Sequence, residues 1–169
     1  MMIRAAIIRA SARLLFAACL LTGAVLPGSF ARSEETLVWT ANSTGGLIAL
    51  TYGSLDSTKP PVFLLSCFNE MDVAVLEVFG AMEGTRPGQE LAIELAAGSS
   101  QSSIKGEASL DDKTGVMFAE ASSIEIAPLL AVLKSPGPLT IKTALTTRTL
   151  PEIGRTEAVE KFSKDCQVK

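Results

Sequence analysis

From residue 37 onward, short runs of apolar residues are separated by turn signals at intervals of roughly 8–12 residues. In the clearest run, Leu91, Ile93 and Leu95 share one face of an extended segment, while Glu90 and Glu94 share the other. This alternation is typical of antiparallel strands with one face in water. It predicts strands at residues 37–41, 47–52, 62–68, 73–79, 91–95, 104–110, 116–119 and 139–145.

Two of these runs are apolar at successive positions, not only at alternate ones. Residues 62–68 and 73–79 carry apolar side chains on both faces, which is typical of strands that are packed on both sides. We therefore expect residues 62–68 to form a central, doubly covered strand. The polar residues 111–115 predict a hairpin turn, and the serine-rich stretch 99–103 predicts a solvated connection.

A short internal helix is predicted from Pro128, which suits the first helical position because its missing N–H is not needed there. Leu129, Val132 and Leu133 recur at helical spacing and form one apolar face. The Ser-Pro-Gly-Pro segment that follows ends this helix. The chain then resumes as the strand at 139–145, which continues in some form toward residue 150.

A second helix is predicted at the C-terminal end, over residues 156–166. Val159, Phe162 and Cys166 fall on one stripe of this helix, and Thr156 is its expected cap. The complete pattern predicts a mostly β (α+β) fold. We expect an antiparallel β-sandwich or a barrel-like sheet, with a short internal helix and a C-terminal helix.

The first 31 residues have the pattern of an export signal. Three arginines precede an apolar run over residues 14–26. A signal peptidase recognises small residues just before its cleavage point, and Ser29 and Ala31 supply them for cleavage after Ala31. The run is too short and wrongly flanked for a stable membrane span. We therefore predict a cleaved signal peptide at 1–31 and a single β-rich domain at 32–169, periplasmic or secreted and without a membrane span.

A competing interpretation of this segment is a lipoprotein cleavage site at Cys19, within the sequence Phe-Ala-Ala-Cys. Few apolar residues precede Cys19, whereas the longest apolar run lies across and beyond it. This geometry favours cleavage after Ala31 over attachment of lipid to Cys19.

Removal of the signal changes the charge balance of the chain. It takes away three arginines and no acidic residue, leaving 12 Lys and Arg against 18 Asp and Glu, a formal charge of −6. Such a balance argues against nucleic acid and anionic lipid surfaces as partners. It fits a basic protein partner, and it fits ordinary solubility equally well.

The cysteines give a sharper prediction. Cys19 lies inside the export signal, so Cys67 and Cys166 remain as an even pair in an oxidising compartment, where a disulfide is expected. Cys67 lies on the central strand and Cys166 on the buried side of the terminal helix, so the two can meet. Chain entropy allows such a bond, which closes a loop of about 100 residues, up to roughly 4–5 kcal/mol of stabilisation.

Histidine is absent from the chain. This excludes Ser-His-Asp and Cys-His catalysis and every imidazole metal site. The chain also lacks the Cys-x-x-Cys pair of a thiol oxidoreductase. Ser–Lys type chemistry needs a desolvated lysine as base, and we interpret Thr58-Lys59 and Ser163-Lys164 as chance neighbours without that role. We predict no catalytic residue, no metal and no cofactor.

Three further features have a simple structural interpretation. The sequence Asp-Lys-Thr-Gly at 112–115 matches the phosphorylated-aspartate motif of ion pumps by letters, yet it falls at a predicted hairpin tip. Glu70 and Asp72 could act as acid and base or hold Ca²⁺, but the surrounding residues lack the repeated oxygen ligands of a calcium loop. Trp39 and Tyr52 could stack a ligand, and their positions on strands favour core packing.

The chain resembles small exported domains that have an early Trp, one mid-chain Cys and a C-terminal helix ending in Cys. Trp39, the Leu-Ser-Cys at 65–67, the segment 129–134 and the closing segment 158–166 carry this resemblance. Periplasmic accessory proteins of type VI secretion and proteins of the invasion-associated locus B kind have that outline. The resemblance implies a disulfide-closed β-domain without a catalytic centre.

Export, a single domain and the missing catalytic constellations favour one functional interpretation. We predict a non-enzymatic domain that binds a protein or another component of the cell envelope. The acidic balance favours an alternative, an inhibitor of a basic cell-wall hydrolase such as lysozyme. A third possibility, which the sequence disfavours, is a histidine-free hydrolase that uses carboxylates or a Ser-Lys pair.

Overall fold

The computed structural model describes residues 35–80, 82, 84–143 and 146–168. The predicted export signal, its cleavage point after Ala31 and Cys19 lie outside these residues. Nine strands and two α-helices form within the described part. In chain order they are β1 (Leu37–Thr44), β2 (Leu47–Ser54), β3 (Phe63–Phe68), β4 (Val73–Phe79), β5 (Glu90–Ala97), β6 (Ser100–Leu110), β7 (Met117–Ser122), α1 (Ile126–Leu133), β8 (Leu139–Thr143), β9 (Thr146–Leu150) and α2 (Arg155–Asp165).

All nine described strands belong to one antiparallel sheet in the order β1-β2-β3-β4-β7-β6-β5-β8-β9. The sheet curls into a half-barrel. After β4 the chain crosses to β5, and β6 and β7 then fill the space between these two strands. The predicted mostly β fold with a barrel-like sheet is therefore confirmed, together with the internal helix and the C-terminal helix.

The concave face of the half-barrel holds the core. Alternate residues of each strand point inward, as on β3, where Phe63, Leu65 and Cys67 are fully buried. Both helices add their apolar stripes to the same cluster, through Leu129 of α1 and Phe162 of α2 among others. Helical spacing thus identified the buried faces of both helices correctly, since that stripe is what each helix packs against the sheet.

The aromatic residues of β1 to β3 are part of this core. Trp39 packs against Tyr52 and Phe63, with ring centroids 5.0 and 5.5 Å apart, and its indole N–H donates a hydrogen bond of 2.8 Å to the carbonyl oxygen of Pro151. Pro151 directly follows β9, so this bond links one edge strand of the sheet to the end of the other. The core interpretation of Trp39 and Tyr52 is confirmed.

A disulfide joins Cys67 on β3 to Cys166, the residue after α2, as the cysteine count predicts. The side chain of Asn69 holds the chain on both sides of Cys166. Its Nδ2 donates to the carbonyl oxygen of Asp165 at 3.0 Å, and its Oδ1 accepts from the backbone N–H of Gln167 at 2.9 Å. The C-terminal end of α2 is therefore fixed to the turn between β3 and β4.

Both helices begin earlier than the sequence predicts. Gly154, with φ of 80°, precedes the first residue of α2, so Thr156 lies inside the helix and is not its cap. The internal helix starts at Ile126, two residues before Pro128. Pro128 still falls within the first turn, where a backbone N–H has no acceptor in the helix.

Two strand boundaries differ substantially from the prediction, and one residue at a strand end is more exposed than alternation suggests. The stretch 99–103 is not a loose connection, because a tight turn after β5 starts β6 at Ser100. The segment from residue 139 to 150 forms two paired strands, β8 and β9, and not one continuous strand. Leu110, which alternation places inside, is 44% exposed because it is the last residue of β6. Pairing with neighbouring strands, which local composition does not report, decides each of these positions.

Candidate functional site

The convex face of β2, β3 and β4 carries apolar side chains over which the described part of the chain places no second layer. Leu47, Phe68 and Val73 lie side by side across the three strands, and Leu64 and Val75 continue this surface. These side chains are half-buried by their neighbours, except Leu47, which is 37% exposed. We define the apolar patch as Leu47, Leu64, Phe68, Val73, Val75 and Phe79.

The apolar patch corrects the prediction that β3 is doubly covered. The two helices and the core cover its concave face. On the convex face, the described part of the chain supplies no helix to cover it. The composition of β3 and β4 thus suits packing on both sides, while the observed fold provides packing on one.

A row of four glutamates begins within the apolar patch, at Glu77 between Val75 and Phe79. Glu77 of β4 lies opposite Glu120 of β7, which lies opposite Glu107 of β6, which in turn lies opposite Glu90 of β5. On the other side of Glu77, its neighbour on β3 is Leu64. Adjacent strands are about 4.8 Å apart, so the glutamate row is about 14 Å long.

Within the part of the chain that the structure describes, the carboxylates of the glutamate row form no ion pair. Across the described ranges, the ion pairs are Lys59–Glu35 and Lys142–Glu94, both on the surface. Glu77 is half-buried, and this burial raises the pKa of its carboxyl group, with further contributions from the negative charges of Glu120 and Asp111. Like charges directly opposite one another on a sheet are destabilising.

Replacement of Glu77 by Gln should therefore stabilise the protein at neutral pH, by a few tenths of a kcal/mol up to about 1 kcal/mol after allowance for solvent screening. The folded-state pKa lies above the unfolded value, so the destabilisation is present above the folded pKa and disappears as Glu77 is protonated at lower pH. The advantage of Glu77→Gln should accordingly shrink between pH 7 and pH values near 4.5.

Urea unfolding of both proteins at a series of pH values measures this difference. Glu94→Gln is the matched control, because Glu94 is exposed and paired with Lys142 at 3.1 Å. It should give no gain in stability at pH 7. A pH-independent difference between wild type and Glu77→Gln would contradict the assignment of a raised pKa to Glu77.

An open groove of about 590 Å³ lies along the glutamate row, where β6 and β7 diverge. The two strands pair only from Glu107 to Leu110, whereas β6 continues to pair with β5 back to Ser100. Glu90, Glu107 and Glu120 line the groove together with one cation, Lys105, which is not within ion-pair distance of them among the described residues. The divergence of these strands therefore places three carboxylates around one concavity.

Gly106 permits the close approach of β6 to β7 at the end of this groove. A Cβ atom at this position would collide with the backbone carbonyl oxygen of Glu120. We expect Gly106→Ala to lower the free energy of unfolding by roughly 1–3 kcal/mol, because a backbone atom cannot rotate away as a side chain can. Ser102→Ala on the same strand should change it by less than about 0.5 kcal/mol. Equal stabilities of the two variants would contradict the tight contact.

The structure places the Asp-Lys-Thr-Gly segment at the tip of the β6–β7 hairpin, as predicted. The carboxylate of Asp111 accepts hydrogen bonds from the backbone N–H groups of Lys113 and Thr114 at 2.8 and 3.2 Å, and these bonds lower the pKa of Asp111. The turn is followed by the strand β7, whereas the chemistry of ion pumps requires a helix after this motif. The segment is a hairpin turn stabilised by an aspartate.

In each candidate catalytic pair, one residue is bound to a residue outside the pair. Lys59 forms a surface ion pair with Glu35 at 2.9 Å, and the hydroxyl of Ser163 donates to the carbonyl oxygen of Val159 at 2.7 Å within α2. Glu70 belongs to a short 3-10 turn and packs beside Gly46. Among the described residues, no group of three or more Cys, Asp or Glu side chains is arranged to hold a metal ion.

Sequence reasoning missed the glutamate row. It placed Glu90 on a solvated face correctly, but it assigned no role to any of the four glutamates. The alternation in each strand was the available signal, because it gives the face of each glutamate. The missing information was the order of the strands, which aligns the four residues.

Comparisons of the chain with known protein families, with characterised proteins and with solved structures find no match. The resemblance to small exported disulfide-closed domains therefore stays a prediction. Within the described residues, neither helix has the length and apolar composition needed to cross a bilayer. The chemistry of the convex face is thus the observation from which a function can be argued.

Proposed function

We propose that this chain is an exported, non-enzymatic domain that binds a protein of the cell envelope through its convex face. The uncovered apolar patch is the observation that carries this proposal. Contiguous apolar surface rimmed by polar groups marks interaction sites on soluble domains. The disulfide between Cys67 and Cys166 supports the exported location, because such bonds persist in oxidising compartments.

Binding through the convex face can be tested with two baits. The wild-type domain and a Leu64→Thr/Val75→Thr variant are compared in capture from an envelope extract, and each captured protein is then purified and titrated. We expect saturable binding to the wild type that the variant loses. A Glu157→Gln/Glu160→Gln variant of the exposed face of α2 is the control and should keep the binding. Equal binding by all three baits, or no saturable partner, would overturn the proposal.

The glutamate row favours a second candidate function, the inhibition of a basic cell-wall hydrolase. Oppositely charged surfaces steer association, and salt weakens this effect. Lysozyme is a suitable test enzyme. Inhibition at low salt that disappears at high salt and in a Glu107→Gln/Glu120→Gln variant would support this function. Absence of inhibition at low salt would end it.

Export itself makes a direct prediction about the N-terminus. The full chain, expressed in a bacterium with an envelope, should yield an extracytoplasmic product that begins at Arg32. N-terminal sequencing of the fractionated protein measures this. Retention of residues 1–31 on a cytoplasmic product would contradict the export interpretation, and a lipid-modified product that begins at Cys19 would favour the lipoprotein interpretation.

A further inference from the structure

We propose that the apolar patch and the glutamate row together form a docking surface for an amphipathic basic helix of a partner protein. This inference rests on the proposed binding function and names the chemistry of the partner. The two surfaces meet at Leu64 and Glu77, which lie opposite each other on β3 and β4. A partner that covers both must carry apolar and basic side chains next to one another.

The composition of β3 and β4 indicates that a second layer packs on their convex face when the partner is bound. Strands with apolar side chains on both faces belong in sheets that are packed on both sides. The core covers the concave face completely, since Leu65, Cys67 and Leu76 are fully buried there. Leu64 and Val75 on the opposite face remain half-buried. A bound partner would complete the second layer.

The negative charges beside the patch indicate that the partner carries positively charged side chains at this place. In the described part of the chain, no Lys or Arg is paired with Glu77, Glu90, Glu107 or Glu120. Glu77 and Glu120 are half-buried, so a cation placed over them would be partly shielded from water. Charge interactions strengthen as water is excluded. Lysines or arginines of a partner would also relieve the repulsion within the row.

The dimensions fit a helix. The glutamate row is about 14 Å long, and a helix rises about 1.5 Å per residue, so about three turns of helix span it. Basic residues three and four positions apart form one stripe along such a helix. Along β4, Glu77 lies about 7 Å from Val75 on one side and about 7 Å from Phe79 on the other, so a basic side chain over Glu77 would have apolar neighbours on the partner helix within reach of both.

A synthetic peptide provides the test. The probe is an 18-residue helical peptide of Leu, Lys and Ala with a leucine stripe beside a lysine stripe. One control peptide has Glu in place of Lys, and another has the same composition in scrambled order. Titration of the oxidised domain by fluorescence anisotropy measures affinity, and NMR shift changes identify the contacted residues. We expect binding of the probe alone, with shifts confined to the apolar patch and the glutamate row.

Variants separate local charge from net charge. Glu107→Gln/Glu120→Gln should weaken binding of the lysine peptide by about three- to tenfold, from the loss of two partly exposed charge pairs. Glu157→Gln/Glu160→Gln changes the net charge equally but lies on the exposed face of α2, and should leave affinity unchanged. Leu64→Thr/Val75→Thr should weaken binding as well. Urea unfolding of each variant confirms that it is folded.

The outcomes distinguish this inference from the proposed function. Equal loss in the two charge variants, equal binding of the Glu peptide, or shifts elsewhere on the domain would overturn the helix proposal. A concentration-dependent dimer that buries the apolar patch would assign the surface to a second copy of the chain and also overturn it. An envelope protein captured through Leu64 and Val75, with no dependence on Glu107 and Glu120, would leave the proposed function standing without this partner chemistry.

Discussion

Replacement of both Cys67 and Cys166 by Ser should lower the free energy of unfolding by roughly 2–5 kcal/mol. The disulfide joins residues 99 positions apart, so its loss releases a long loop in the unfolded chain. Much of the fold lies inside this loop, including every strand from β4 to β9 and both helices. The expected loss is a large part of the total stability of a domain of this size.

Urea unfolding monitored by circular dichroism measures this loss. Treatment of the wild type with a reductant under unfolding conditions should reproduce the effect of the substitutions. Cys67 is fully buried, so the same reductant should act slowly on the folded protein. Equal midpoints of the oxidised wild type and the double variant would contradict a stabilising role for the bond.

Arg155→Met should have an effect of similar size, roughly 3–5 kcal/mol, because three hydrogen bonds from one charged group to carbonyl oxygens are lost. Arg155 begins α2 and is only 1% exposed. Its Nε donates to the carbonyl oxygen of Leu133 at 3.0 Å, and its Nη2 donates to those of Ser135 and Gly137 at 2.5 and 2.7 Å. Leu133 ends α1, so the guanidinium binds carbonyl groups that the helix leaves without partners. Met fills similar volume but donates no hydrogen bond.

Arg155→Lys separates charge from geometry. A lysine keeps a cation near the C-terminal end of α1, which the helix dipole favours, but one ammonium group cannot reproduce the planar arrangement of guanidinium donors. We expect an intermediate loss of stability, measured by the same urea unfolding. If Arg155→Met were as stable as the wild type, the hydrogen bonds of Arg155 would contribute nothing net to folding.

The local pattern of the sequence predicted the elements that depend on neighbouring residues. Alternation located β5 and the concave side of β6, because a strand places successive side chains on opposite faces. Helical spacing located the buried stripes of α1 and α2. The even pair Cys67 and Cys166 predicted the disulfide, since both strand and helix assignments placed these residues on buried faces.

Interactions between segments far apart in the chain could not be predicted from the local pattern of the sequence. Sequence reasoning assigned no role to Arg155, since charged side chains are rarely fully buried. Its burial depends on the loop after α1 passing over the start of α2. The helix starts and the β8–β9 hairpin were likewise misplaced by a few residues, because packing and strand pairing set these boundaries.

The amino-acid sequence by itself determined the β-rich fold class, the inward face of most strands, both helices and the disulfide, since each follows from local periodicity or from residue count. It also supplied the two components of the candidate site, an apolar convex side for β3 and β4 and glutamates on solvated faces. Only the tertiary structure decided that these components meet. The order β4-β7-β6-β5 brings residues 77, 120, 107 and 90 into one row beside the apolar patch. Strand order depends on contacts between residues far apart in the chain, and local pattern contains no record of those contacts.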